Sequence, residues 1–233
     1  MEGLYLSASG IANALRRNEV TANNVANVRT TGFRAGRAES VETVGGGAAV
    51  GGVTPDDAAG PFEFTGNPMD VAAGTGFFRV RMSDGGVAYT RDGHFGLNAT
   101  GEVVTAAGAR LEPAIQVPAN AAHVTVARDG SVYATFGGEL GPQVVGQIEV
   151  FQFSNPAGLL ALGGNLYQQT PASGEPQPLP EAMQFYPGAV QGSNVNLPHE
   201  MGNSLLDRQA FQANAKAFRA QSDVLGELID IIS

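Results

Sequence analysis

The sequence predicts a mixed α and β protein, with a helix at each end pairing as a coiled-coil-like domain and a central all-β domain between them. Three observations carry this. Apolar and small residues recur at alternating spacings of four and three at both ends. The centre is a series of short apolar or alternating runs cut by Gly, Asp and Asn. The composition favours turns, with 32 Gly and 13 Pro among 233 residues.

The N-terminal helix is predicted from Leu4, Ala8, Ile11, Leu15, Ala22 and Val25, with polar Asn18 filling the remaining seam position. The C-terminal helix follows from Phe211, Ala215, Phe218, Ser222, Leu225, Ile229 and Ile232, again with one polar position, Ser222. Neither helix buries its stripe alone, and isolated helices of this length are marginal in water, so each needs a partner and the other end is the nearest one. The spacing also fits a plainer arrangement, two ordinary amphipathic helices of one globular domain. A polar residue inside a seam costs stability but fixes register, a role expected of Asn18 and Ser222. Asn18→Leu should then give misregistered assemblies, and unchanged assembly would remove the role.

Between the helices, Phe77 to Met82, His123 to Arg128, Ser131 to Phe136 and Val145 to Phe153 read as strands. Asp129-Gly130 between two alternating runs predicts a hairpin, because tight turns require the positive φ that Gly supplies. Asp84-Gly85-Gly86, Asp92-Gly93 and Asn98-Ala99-Thr100-Gly101 mark further turns. Gly45 to Gly52 and Ser173 to Pro178 are too poor in large apolar groups to pack and read as linkers. The expected division is therefore an N-terminal helix within 1–33, a flexible connector over 34–60, a β domain over 61–190, a return linker over 191–203 and a C-terminal helix over 204–233.

Composition narrows the functions. Lys plus Arg number 13 against 22 Asp plus Glu, a formal charge of −9 that repels nucleic acid and anionic lipid. Without cysteine there are no disulfides, thiolate metal sites or cysteine nucleophiles. No window reaches the roughly 20 apolar residues of a membrane span, so membrane insertion is not expected. The first residues, Met1 to Leu15, lack the pattern of a secretory signal.

A search for chemistry yields little. His94, His123 and His199 are far apart without partners at helical or strand spacing, and no nucleophile elbow, phosphate loop or His-Glu-x-x-His motif is present. Arg91-Asp92 and Arg128-Asp129 precede glycines and read as turn starts beside a solvated charge rather than as acid–base pairs. The glycosylation sequon at Asn98 is of a kind that arises often by chance. No catalytic residue, cofactor or metal ligand is assigned. Two other functions fit these features: an extracellular β-rich binding or adhesive module with docked terminal helices, and an enzyme whose carboxylates are not paired in sequence.

The stretch Ala22-Asn23-Asn24-Val25-Ala26-Asn27-Val28-Arg29-Thr30-Thr31-Gly32-Phe33 resembles the signature of the flagellar rod and hook proteins. The likeness continues through Met69 to Ala72, Gly76-Phe77-Phe78, Ala88 to Phe95, Thr100 to Thr105, Pro113 to Pro118, Asn165-Leu166-Tyr167 and Gly192-Ser193-Asn194-Val195-Asn196. It covers nearly the whole chain and is nearest to the distal type of the flagellar basal-body rod proteins, with the proximal type second. Asn23, Asn24, Asn27, Gly32, Phe33, Ser193, Asn194 and Asn196 carry the motif, Asn and Gly suiting the exit from a helix and Phe33 anchoring the emerging chain.

The resemblance implies an inner helical domain lining a tube and an outer β domain. It further implies a homo-polymer that contacts other rod and hook proteins, and delivery by the flagellar type III export apparatus without a cleaved signal peptide. The place of action would be the basal-body rod where it crosses the periplasm. Two departures accompany it: the connection from Arg34 to Gly60 is short, and Pro198 and Gly202 place the start of the C-terminal helix after Asn203.

Overall fold

The computed structural model describes residues 2–137, 141–179 and 185–232. The fold is mixed α and β, with a helix at each end and several β-sheets between them. In chain order the elements are α1 (Glu2–Ala26), β1 (Gly36–Glu42), β2 (Ala48–Pro55), β3 (Phe62–Phe64), β4 (Val71–Ala72), β5 (Phe77–Arg81) and β6 (Val87–Thr90). Then follow β7 (Phe95–Leu97), β8 (Val103–Thr105), β9 (Arg110–Glu112), β10 (Ala121–Val126), β11 (Ser131–Phe136), β12 (Gln143–Gln147) and β13 (Val150–Gln152). The chain ends with β14 (Leu160–Gly163), β15 (Leu166–Gln168), β16 (Gln177–Pro178), β17 (Tyr186–Pro187), β18 (Ala189–Gln191) and α2 (Leu197–Ile232). These elements form two compact units. The first comprises Met1–Val28, Ala35–Asp56 and Val195–Ser233, the second Arg29–Arg34 and Asp57–Asn194.

In the first unit α1 and α2 lie side by side, and β1 and β2 form an antiparallel hairpin running back along α1. Gly36 is bonded to Asn24, Ser40 Oγ donates to Asn13 Oδ1 at 3.3 Å, and the turn glycines approach Leu6 and Ser9. The segment expected as a flexible connector thus holds a paired hairpin. Glycine removes side-chain bulk but keeps its N–H and C=O, and backbone pairing needs only those.

The second unit has no α-helix among its described residues. Its largest sheet has nine strands in the order β14-β15-β6-β5-β9-β8-β7, with β13 and β16 attached through β5. A three-stranded sheet runs β10-β11-β12, and short pairs join β17 to β4 and β18 to β3. The core gathers Val71, Phe78, Val80, Leu111, Ile115 and Val132, each worth about 1.5–3 kcal/mol of transfer free energy for the larger side chains. A second cluster sets Phe77, Tyr89, Phe151 and Phe153 edge to face.

The Asp129-Gly130 turn joins β10 and β11 as expected: Gly130 sits at φ 85° and the Ser131 N–H donates to Asp129 Oδ1 at 2.9 Å. The run from Val145 to Phe153 is not one strand but two, because the chain passes from one sheet to another: β12 pairs with β11, and β13 with β5 and β16. Ser173 to Pro178 is not a linker either. Ser173 has 0% exposure and donates from Oγ to Thr170 O at 2.8 Å, while Gln177 and Pro178 pair with β13. Polar bonding supplies the packing that apolar content did not promise.

The expected linker over 191–203 ends much earlier, because α2 begins at Leu197. Asn196 Oδ1 accepts the His199 N–H at 3.1 Å, which is N-cap geometry, and Pro198 falls within the first turn, where a missing N–H costs nothing.

Candidate assembly interface

The candidate site is built on the helix pair. A Cβ placed on Gly3 would meet the Gln221 side chain at 2.8 Å, and one on Gly10 would meet Asn214 at 2.7 Å, so both glycines let the helices approach. Arg17 Nε donates to Asp207 Oδ1 at 2.8 Å, and Asn24 Nδ2 donates to Glu200 Oε1 at 3.0 Å. These four contacts recur every seven residues on both helices and in opposite chain directions, so the pair is antiparallel. Asn18 Nδ2 adds a bond to Ser204 Oγ at 3.1 Å.

The face that α1 turns inward therefore runs through Gly3, Ser7, Gly10, Ala14, Arg17, Thr21 and Asn24, with Ser7, Ala14, Thr21 and Asn24 buried. It precedes the apolar stripe by one residue. On that stripe Leu4, Ile11 and Asn18 are half-buried, whereas Ala8, Leu15, Ala22 and Val25 are exposed, Leu15 at 51%. On α2, Phe211, Ala215 and Leu225 are half-buried and Phe218 and Ser222 exposed. The side chains of Ile229 and Ile232 lie outside the described residues. Small and polar residues make the intrachain contact because they allow close approach, and the larger side chains are left on its flanks.

The Asn-rich motif resolves into distinct jobs. Asn24 is 2% exposed; its Nδ2 also donates to Gly36 O at 2.8 Å, and its Oδ1 accepts the Gly36 N–H at 2.8 Å, tying α1 to β1 as well as α2. Asn23 is exposed, and its carbonyl accepts both the N–H of Asn27 at 3.1 Å and its Nδ2 at 2.9 Å, which closes the last turn of α1.

In the second unit, Gly32 takes φ 71° and donates its N–H to Gln191 O at 2.6 Å; a Cβ there would meet the Arg91 backbone at 2.8 Å. The Asn194 N–H donates to Phe33 O at 3.4 Å, Asn194 Nδ2 donates to Ala58 O at 2.9 Å, and Arg34 Nη2 donates to Gln191 Oε1 at 2.8 Å. Phe33 is half-buried and Ser193 buried. The entering and leaving chains of this unit are thus clasped together.

Arg91 stands beside that clasp, its guanidinium 4.0 Å from the centre of the Phe77 ring and its Nη2 3.5 Å from Asp57 Oδ1. Burial, and then repulsion from Arg34, lowers its pKa below the usual guanidinium range to about 10. Burial also raises the pKa of Tyr89 and Tyr167. Among the described residues no group of three or more His, Asp or Glu is placed to hold a metal, and no helix is long and apolar enough to cross a membrane.

Sequence reasoning missed the inward ladder of Arg17, Glu200, Asp207, Asn214 and Gln221, and the Arg34–Gln191–Arg91 cluster. For the ladder a signal exists: Gly3, Ser7, Gly10 and Ala14 form a small-residue heptad one position ahead of the apolar one. For the cluster none does, because its members are brought together only by the fold.

The two ends of the chain build one unit and its middle a separate β unit, and three family models of flagellar rod and hook proteins match it. They are the flagella basal body rod protein over residues 4–34, the flagellar hook protein FlgE/F/G D1 domain over 71–134, and the flagellar basal body rod FlgEFG protein C-terminal domain over 186–231. The chain belongs to the flagellar basal-body rod protein family. It is 34% identical to the flagellar basal-body rod protein FlgG of Buchnera aphidicola subsp. Acyrthosiphon pisum over 97% of both chains, and 30% identical to that of Bacillus subtilis over 99% of both. The rod protein FlgF of Caulobacter vibrioides is 33% identical over 91% of this chain and 90% of its own. The Buchnera alignment spans 253 positions, more than the 233 residues here, so that relative carries residues this chain lacks. The protein is a structural subunit of the flagellar basal-body rod, not an enzyme.

Proposed function

We propose that this chain self-assembles into a helical tube, the shaft that transmits torque from motor to hook. The paired ends form a coiled-coil-like inner layer and the β unit an outer one. Its partners are further copies of itself and the other rod and hook proteins, reached after passage in unfolded form through the flagellar type III export apparatus without cleavage of a signal peptide.

One observation carries this reading. Ala14 is the only buried hydrophobic residue of the first unit among the described residues, whereas the second unit holds a full apolar core. The helix pair lacks a core of its own, and its apolar stripes remain on the surface for neighbours to cover. Leu15 points the test: Leu15→Asp should abolish polymerisation and swimming while the β unit keeps its circular dichroism and melting profile. Normal motility in that variant would overturn the proposal. Ile11→Asp and Leu225→Asp should act in the same direction.

A further inference from the structure

The charged residues of α2 are sorted by sign. After Asp207 the helix carries Arg208, Lys216 and Arg219, then Asp223, Glu227 and Asp230, and all of them are exposed. At about 100° per residue they fall within one sector of roughly 100°. That sector lies opposite the face that meets α1 through Asp207, Asn214 and Gln221. The outward stripe is therefore basic over its first part and acidic over its second. Among the described residues Arg208, Lys216, Arg219, Asp223 and Glu227 take part in no ion pair. Like charges stand one turn apart at Lys216 and Arg219 and again along Asp223, Glu227 and Asp230, a spacing that destabilises a helix. A face that serves only solvent gains from interspersed signs, with acid ahead of base at i, i+4. Arg219 and Asp223 are the one opposite pair of the stripe at that spacing, and they run in the reverse, weaker order.

The order of charge identifies the occupant. A partner that fits the whole stripe must present acid where this helix presents base, and base where it presents acid. A second copy of α2 does so when displaced along the helix axis. A parallel shift of 14 to 15 residues, about 21 Å at 1.5 Å per residue, sets Arg208 against Asp223 and Lys216 against Asp230 and brings no like charges together. An antiparallel copy would also match, but two stripes that satisfy each other close into a pair. The shifted parallel copy leaves its own remaining block for the next copy, as an open assembly requires.

We infer that the outward face of α2 is a contact between parallel copies of this chain staggered by about 21 Å, the basic block of one pairing with the acidic block of the next. This rests on the reading of the chain as a self-assembling rod subunit and gives one of its contacts a register.

Lys216 is the only lysine of the chain, which makes the test direct. Basal bodies are isolated from flagellated cells in which this chain is the sole copy of this rod protein, and are treated with a carbodiimide, which joins an amine directly to a carboxylate. Within one helix Lys216 and Asp230 stand 14 residues, about 21 Å, apart, beyond the reach of such a link. The expected result is a ladder of covalent multimers whose digest holds Lys216 joined to Asp230. It should be lost in Lys216→Arg, which keeps the charge and removes the amine. A crosslink that stops at the dimer would show an antiparallel pair and overturn the stagger. Lys216 joined to a different protein would overturn a second copy as the occupant. Intact rods with Lys216 unlinked would overturn this surface while leaving the rod reading in place. If cells lacking the chain remain flagellated, the rod reading itself falls.

Discussion

Asn24 holds three hydrogen bonds to two different elements from a position closed to solvent. Replacing it with Leu strands the N–H and C=O of Gly36 and one oxygen of Glu200, a loss of about 3 kcal/mol at the usual cost of orphaned buried groups. Hydrogen exchange of α1 in assembled rods, where neighbours cover the helix pair, should show that loss, and Asn23→Leu, at an exposed neighbour, should show almost none. In the sequence Asn23, Asn24 and Asn27 looked equivalent, because composition does not say which face of a helix will be covered. Tyr89 and Tyr167 give a second residue-scale expectation. Their folded pKa values are raised above the unfolded value of 10, so the unfolded chain loses those protons first. Stability from these groups is therefore present below pH 10 and lost as pH rises beyond it. Ultraviolet titration should find two of the five tyrosines ionising late in the native protein, and Tyr167→Phe should remove one of them.

Among the elements, α2 depends on a cap that lies outside the stretch expected to be helical. Asn196→Ala should cost about 1 kcal/mol and speed exchange of the amides from His199 to Met201, leaving the far end of the helix unchanged. In the sequence Pro198 and Gly202 read as breakers, which argues for a late start of this helix. Proline in the first turn satisfies rather than violates helix geometry, and Asn196 reads as a cap only once the following turn is in view. The hairpin over β1 and β2 is not legible in the sequence for a related reason. Its strands gain order by lying on α1, and a glycine-rich segment carries no trace of the surface that will receive it. By contrast the β10–β11 turn was legible, because Asp129-Gly130 encodes its own backbone geometry.

For the whole molecule, the contrast between a unit with an apolar core and one with a polar seam sets an order of opening. Hydrogen exchange on the purified chain should be fast over 2–28 and 204–232 and slow in β5, β6 and β9. Uniform protection would mean that the helices are already complete without neighbours. The fold class and the two helices were readable from periodicity, since a stripe of four-three spacing survives in any environment. Which stripe faces which partner was not, because two heptads lie side by side on α1 and the spacing alone favours the larger side chains.

The clasp between Gly32 and Gln191 bears on the order of folding. In an open chain, Asn24 and Glu200 must find each other across the 176 residues that separate them, and the entropy of closing that loop slows the encounter. Once the β unit has formed, Gly32 and Gln191 are bonded at 2.6 Å and Phe33 adjoins Asn194, so only short tethers remain on either side. Shortening the effective loop more than tenfold lowers the closure cost by about 2 kcal/mol. The β unit is therefore the template and the helix pair the last step, and helix docking should wait for the arrival of the final residues of the chain.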